Sequence, residues 1–254
     1  MTDGDARDHR PGDAATASFY RDIEHAAAPV RHAAYRTPDD TDLDTLANYF
    51  WNIALSRDLY FALSALEVSM RNSIDHALAI HVGHPDWYHR IPLLHREANA
   101  VTRARETITR SNRAVTPGRM IAELSFGFWT SLLSAGYGSE VWSTDDADLV
   151  KVAFPGLGAE RQHRRFVHGR FDAIRQLRNR TSHLEPIWQG VVLKGGQPMT
   201  LGTLYADTLD AIAWSSPSLR DAVAALDRFP ETLATGWEAQ RAQIVALVGN
   251  RPDL

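Results

Sequence analysis

The stretch LYFALSALEVSMRNSIDHA, Leu59 to Ala77, decides the fold class. Leu59, Leu63, Leu66, Met70 and Ala77 recur at helical intervals. That spacing lays them along one stripe of an α-helix, whereas a half-buried strand would alternate at every second residue. The pattern runs from Leu43 to about His81, and Gly83 and Pro85 end it. Glu67 and Arg71 stand at i, i+4 and can pair on the helix surface. Asn72 follows Arg71, and His76 stands five residues after it.

Toward the N-terminus, Thr41 or Asp42 is suited to cap this helix, and Pro38 precedes it. A short helix is expected over Ser18 to Arg36. Residues 1–16 are polar, with glycine, proline and acids and little to bury, and read as a disordered leader. In the other direction HPDWYHRIP reads as a connection, and a helix is expected over Leu93 to Asn112. Thr116-Pro117-Gly118 opens a further helix, with Pro117 suited to a first turn. That helix carries ELSFGFWTSLLS, where Leu124, Phe128, Leu132 and Ala135 share a side. Its aromatic residues read as core filling rather than ligand stacking, and Gly127 suggests close helix packing.

A short helix is expected over Asp145 to Phe154, and a longer one from Glu160. Val167, Phe171, Ile174 and Thr181 trace one face of the longer helix, with Leu177 at its edge. Pro186 ends it, because the residue before a proline avoids helical geometry. VVLKGGQPMT reads as an extended, glycine-containing link before helices over 200–214, 217–228 and 231–248. The expected fold is all-α. It is an antiparallel bundle forming a single domain over 17–254, with a 43–190 core carrying the motifs and additional C-terminal helices over 200–250.

Composition narrows the function. The chain has 254 residues, a formal net charge of −4 and 44% hydrophobic residues, so an ordered domain with a sizeable core is expected. Any nucleic-acid contact must come from a local basic patch, since the whole chain is mildly acidic. Cysteine is absent, which excludes thiol catalysis and thiolate metal sites within the chain. No HExxH or carboxylate–histidine cluster appears, so no metal and no cofactor is expected. The sequence has no apolar run long enough to span a membrane and no secretion-type leader, so a cytoplasmic location is expected.

A second Arg-Asn stretch, LRNRTSHLEPIW, covers Leu177 to Trp188. Arg178 again precedes an asparagine, Asn179, and His183 again follows five residues after the arginine. Arginine offers a planar, permanently charged fork for phosphate oxygens. Histidine moves protons near neutral pH. Together they suit phosphodiester cleavage without a metal, with Arg178 holding the phosphate and His183 moving the proton. Five residues turn an ideal helix through about 500°, which leaves Arg178 and His183 about 140° apart. Asn179 and His183 do share a face, so Asn179 is suited to orient the imidazole. The other reading of these residues is a helix cap flanked by solvated arginines.

The run IRQLRNRTSHLEPIW resembles the signature of the Abi-like (abortive infection) family of the HEPN superfamily. LEVSMRNSID and ELSFGFWTSLLS resemble that family's companion blocks, in the same order, and the likeness spans about residues 43–240. The resemblance implies a helical bundle, often a homodimer, in which the motifs of two protomers approach across a shared cleft. It implies a metal-independent endoribonuclease of phage defence or a toxin–antitoxin system. In such enzymes the ribose 2′-hydroxyl attacks the adjacent phosphate and leaves a cyclic phosphate. Carried onto this chain, Arg178 and His183 are the catalytic pair and Asn179 supports them. Expected partners are an RNA substrate, a second copy, and an antitoxin RNA or protein, with no membrane. The alternative is a non-catalytic helical module that binds RNA or a partner.

Arg71, Asn72 and His76 form a possible second half of the site, with Glu67 holding Arg71; the structural reading is a plain helix surface. Arg161, Arg164, Arg165 and Arg170 on the helix leading to the motif, with Arg175 and Arg180 beside it, are candidates for steering RNA. A solvated helix face is the alternative.

Overall fold

The computed structural model describes residues 11–27, 29–142, 147–196 and 198–249. Helices dominate, as expected. They are α1 (Pro11–Ala27), α2 (Pro29–Ala33), α3 (Asp42–Val82), α4 (His95–Arg110), α5 (Pro117–Glu123), α6 (Phe126–Leu132), α7 (Ala147–Ala153), α8 (Arg164–Ser182), α9 (Leu201–Ser215), α10 (Pro217–Leu226) and α11 (Phe229–Gly249). The described strands are β1 (Val191–Val192) and β2 (Pro198–Met199), an antiparallel pair that pins the glycine-containing link. The all-α expectation holds.

The chain divides into two compact units, each assembled from separate stretches of sequence. The first takes the described residues up to Asp58, then Ser182–Gln189, then those from Arg228 onward. The second takes Leu59–Thr181 and Gly190–Asp227.

In the first unit Phe19, Tyr20, Leu46, Ala47, Ile244 and Val248 pack into one apolar cluster. Polar clamps tie elements of the same unit together. Thr41 and Asp44 exchange hydrogen bonds at the start of α3, a capping box with aspartate in the acidic position. Thr41, rather than Asp42, is therefore the cap. Asp58 accepts hydrogen bonds from Arg57 and Thr232, and the Trp51 indole donates to the Thr232 carbonyl at 3.1 Å. Several expected boundaries move. The expected helix over 18–36 is two helices: Pro29 takes the first position of α2, where its missing N–H costs nothing, and α1 already begins at Pro11. Helical backbone thus covers 11–16 of the expected leader, and residues 1–10 lie outside the described residues. α11 is broken at Gly236, whose φ of +73° no α-helix accommodates.

In the second unit the Leu59–Ala77 stripe is buried: Leu59, Leu66, Met70 and Ala77 are fully covered. The α8 stripe is buried too, and Leu177 belongs to it rather than to its edge. The expected single helix through ELSFGFWTSLLS is two. Leu124 is extended, and the Ser125 hydroxyl accepts from the Phe128 N–H to start α6. A serine three residues ahead of an N–H it can satisfy favours a new helix start over a helix interior. Phe126, Phe128 and Trp129 fill core, as the sequence implied. Gly127 does not mark close packing, since a Cβ there would meet only the Ser125 hydroxyl at 3.8 Å.

Candidate functional site

The two Arg-Asn motifs are reached from different backbones. In the second unit, Leu66 and Met70 on α3 and Leu177 on α8 are fully buried, so both helices are anchored by their apolar faces. That anchoring aims Glu67 and Arg178 at each other. Arg178 Nη2 and Glu67 Oε2 lie 3.5 Å apart, with the arginine side chain 37% exposed and the glutamate 25%. The distance is long for a charge-assisted bond, so the pair holds position more than it adds stability. Glu67 therefore meets Arg178, 111 residues away in sequence, instead of the i, i+4 partner the sequence offered. Arg71 is half-buried, and its Nε is covered without a hydrogen-bond partner among the described residues. Asn72 and His76 are exposed on the same side of α3.

Asp75, between them, faces inward. It accepts a 2.7 Å hydrogen bond from the Trp87 indole, and burial pushes its carboxyl above the usual carboxylate range despite that bond.

The basic residues leading to the motif are largely committed elsewhere. Arg175 is held by Asp172 at 2.6 Å, and Gln176 shares that carboxylate while accepting from the Lys194 N–H. Arg164 donates to the Leu133 carbonyl, Arg170 pairs with Asp207, and Arg180 reaches the Val192 carbonyl at 3.4 Å. Arg161 stacks over Phe166. Arg165 is exposed, and no ion pair among the described residues uses it. Much of the expected steering stripe thus ties elements of the second unit together.

His183 belongs to the first unit, one residue past the end of α8, and is exposed. The chain turns sharply after it: Leu184 has φ +51°, a left-handed conformation that costs a non-glycine residue about 1–2 kcal/mol. Two residues from elsewhere in the unit hold that turn. The Tyr35 hydroxyl donates to the Leu184 carbonyl at 3.1 Å. Asn52, fully buried on α3, accepts from the Ile187 N–H at 2.7 Å and the Trp188 N–H at 3.3 Å. Its amide donates to the Tyr35 hydroxyl and the Glu185 carbonyl. One asparagine thereby satisfies most of a loop that has no secondary structure of its own. Beside the loop lies a recess of about 240 Å³, walled by α2 and α3 residues and by His183–Pro186.

Sequence reading did not single out Asn52 or Tyr35. The available signal was an asparagine among the apolar residues FWNIAL, on a stretch otherwise bound for the core. Among the described residues no group of three His, Asp or Glu side chains is placed to hold a metal ion, and no helix is long and apolar enough to cross a membrane.

No protein-family model, curated protein or solved structure matches the chain.

Proposed function

We propose that this chain is a metal-independent HEPN-type endoribonuclease of phage defence or a toxin system. The observation that carries the reading is the Glu67–Arg178 pair, which joins the two Arg-Asn stretches that the sequence had set apart. It puts a partly exposed guanidinium fork on an anchored helix end, where it can exchange a carboxylate for a phosphate. In this reading Arg178 binds the scissile phosphate and stabilises its added charge. His183, on a loop fixed by Asn52 and Tyr35, moves the proton between the 2′-hydroxyl and the departing 5′-oxygen. Attack by the 2′-oxygen forms the new P–O bond as the P–O5′ bond breaks, which leaves a 2′,3′-cyclic phosphate and a 5′-hydroxyl. A homodimer supplies the second set of motif residues, and an antitoxin RNA or protein restrains the activity.

The test is incubation of the purified chain with total RNA in EDTA, followed by end-group analysis. Cleavage with cyclic-phosphate ends is expected, together with a light-scattering mass about twice 28.3 kDa. RNA that is bound but never cut, across pH and substrate, assigns the chain to the alternative, a non-catalytic RNA- or partner-binding module. The internal pairing of Arg164, Arg170 and Arg175 takes them from RNA and favours the partner-binding form of this second reading.

A further inference from the structure

The recess beside His183 is built, not incidental. Its loop wall is fixed by Tyr35 and Asn52 through hydrogen bonds at both ends, so the hollow exists before any ligand arrives. Leu184 stays in its left-handed conformation because those bonds hold it, and strain retained in this way is characteristic of ligand clamps. The recess carries Tyr49, half-buried, whose ring contacts with Tyr35, His32 and Phe50 are all edge-wise, at 5.2–5.4 Å between centroids. None of the three stacks flat on it. The charged and titratable residues that line it are the exposed Arg31, His183 and Glu185. No ion pair among the described residues uses Arg31. At about 240 Å³ the recess falls below the roughly 300–1,000 Å³ of sites for whole drug-sized molecules. It suits one flat ring system with a phosphate at the mouth.

We infer that this recess seats a single nucleobase, stacked on Tyr49 with its phosphate against Arg31 and His183, and that in RNA it selects the nucleotide at the cut. The inference rests on the ribonuclease reading for its RNA half. An aromatic ring face takes any base by stacking, while neighbouring backbone groups and rim charges discriminate among bases. A cation and a histidine at the mouth match the phosphate that every nucleotide brings.

The experiment uses the full chain and two readouts. The first is calorimetric binding of the four nucleoside 3′-monophosphates, with ribose 5-phosphate as the probe lacking a base. The second is the nucleotide found at the cleaved ends of total RNA. Nucleotides are expected to bind at least tenfold more tightly than ribose 5-phosphate. Ala34→Trp fills the recess from an exposed position, and Tyr49→Ala removes the ring. Each is expected to weaken binding about tenfold or more, the scale of a lost base stack, and to flatten the base preference of cleavage. Tyr49→Phe keeps the ring and is expected to stay within threefold of wild type. Equal binding of ribose 5-phosphate, absence of nucleotide binding, or indifference to Ala34→Trp overturns the inference. Nucleotide binding lost in Ala34→Trp with an unchanged cleavage pattern gives the recess to a free nucleotide and overturns the RNA subsite. Nucleotide binding without any cleavage sinks the ribonuclease reading and leaves the base seat standing.

Discussion

Arg71 and Arg178 each precede an asparagine and stand five residues before a histidine, yet their surroundings share little. Arg71 lies in the interior of the 41-residue α3, where helical backbone continues through His76 and beyond. Arg178 lies four residues before the end of α8, and its histidine falls outside the helix, on a loop with a left-handed residue and an asparagine clamp. Identical spacing thus yields a regular helix face in one place and a bent, held turn in the other. A regular helix fixes Arg71 and His76 on different faces, about 140° apart. The helix end frees the second histidine from that constraint. The difference teaches that the reach of such a motif is set by where its helix stops.

If the two motifs are as unequal as their backbones, substitutions should separate them widely. His183→Ala and Arg178→Ala are expected to lower RNA cleavage by about 10²–10⁴ each, with Arg178→Lys rescuing little because lysine lacks the fork. Arg71→Ala and His76→Ala are expected to cost less than about tenfold, since neither lies at a helix end. Initial rates on one RNA substrate, with circular dichroism to confirm folding, decide this. Equal losses at both motifs would erase the distinction and make the α3 motif a full partner.

A smaller effect probes the clamp. Asn52→Ala strands the Ile187 and Trp188 N–H groups, and each buried unsatisfied group costs about 1–3 kcal/mol. A drop of that order in urea-unfolding free energy is expected, alongside reduced cleavage through a loosened His183 loop. A stable variant with full activity would show that the turn holds itself.

The α3 motif has its own signature in pH. Burial raises the Asp75 carboxyl above its unfolded value of 3.8, so the folded state holds its proton longer. The stability this supplies is fully present below pH 3.8 and is lost as pH rises through the folded-state value. Asp75→Asn keeps an acceptor for the Trp87 indole without the charge. It is expected to raise the thermal midpoint modestly at pH 7 and to flatten that part of the pH profile. Asp75→Ala, which strands the indole, is expected to lower the midpoint. A lower midpoint in Asp75→Asn at pH 7 would show that the charge is needed.

The smallest effect belongs to Leu184→Gly. Glycine accepts φ +51° without strain, and Leu184 is 48% exposed, so little burial is lost. Relief of about 1–2 kcal/mol, offset by the roughly 0.5–1 kcal/mol entropic cost of glycine, leaves a slight stabilisation in urea titration. Clear destabilisation would mean that the leucine side chain itself closes the recess.

The long elements were legible because their signals are periodic. Leu59 to Ala77 and Val167 to Thr181 repeat at the pitch of a helix, and burial follows that repeat residue by residue. Thr116 and Pro117 announced a helix start, and the Thr116 side chain caps it by accepting from Arg119. The break at Leu124–Ser125 was missed because aromatic spacing outweighed a single serine cap. At the motif, residue types and order were visible, but partners were not. Glu67 had a local partner in Arg71 and a distant one in Arg178, and tertiary packing chose the distant one. Asn52 could not be tied to the His183 loop, because 135 residues separate it from Ile187 and no spacing rule spans that distance. The interleaving of two units is equally invisible to a reading that moves along the chain.

That interleaving also sets a schedule. The wall around His183 joins Tyr35 and Asn52 to residues made more than 130 positions later, and the apolar cluster of the same unit needs Ile244 and Val248 from α11. Contacts so far apart must meet the entropy of closing a long loop before any of their energy is returned. While the chain emerges from the ribosome, Tyr35 and Asn52 wait without their partners until Leu184 and Ile187 have been synthesised. Completion of α11 then adds Ile244 and Val248 to the apolar cluster of the same unit. A nascent chain halted before it would carry the His183 turn with its hydrogen-bond partners but without the completed apolar cluster of their unit.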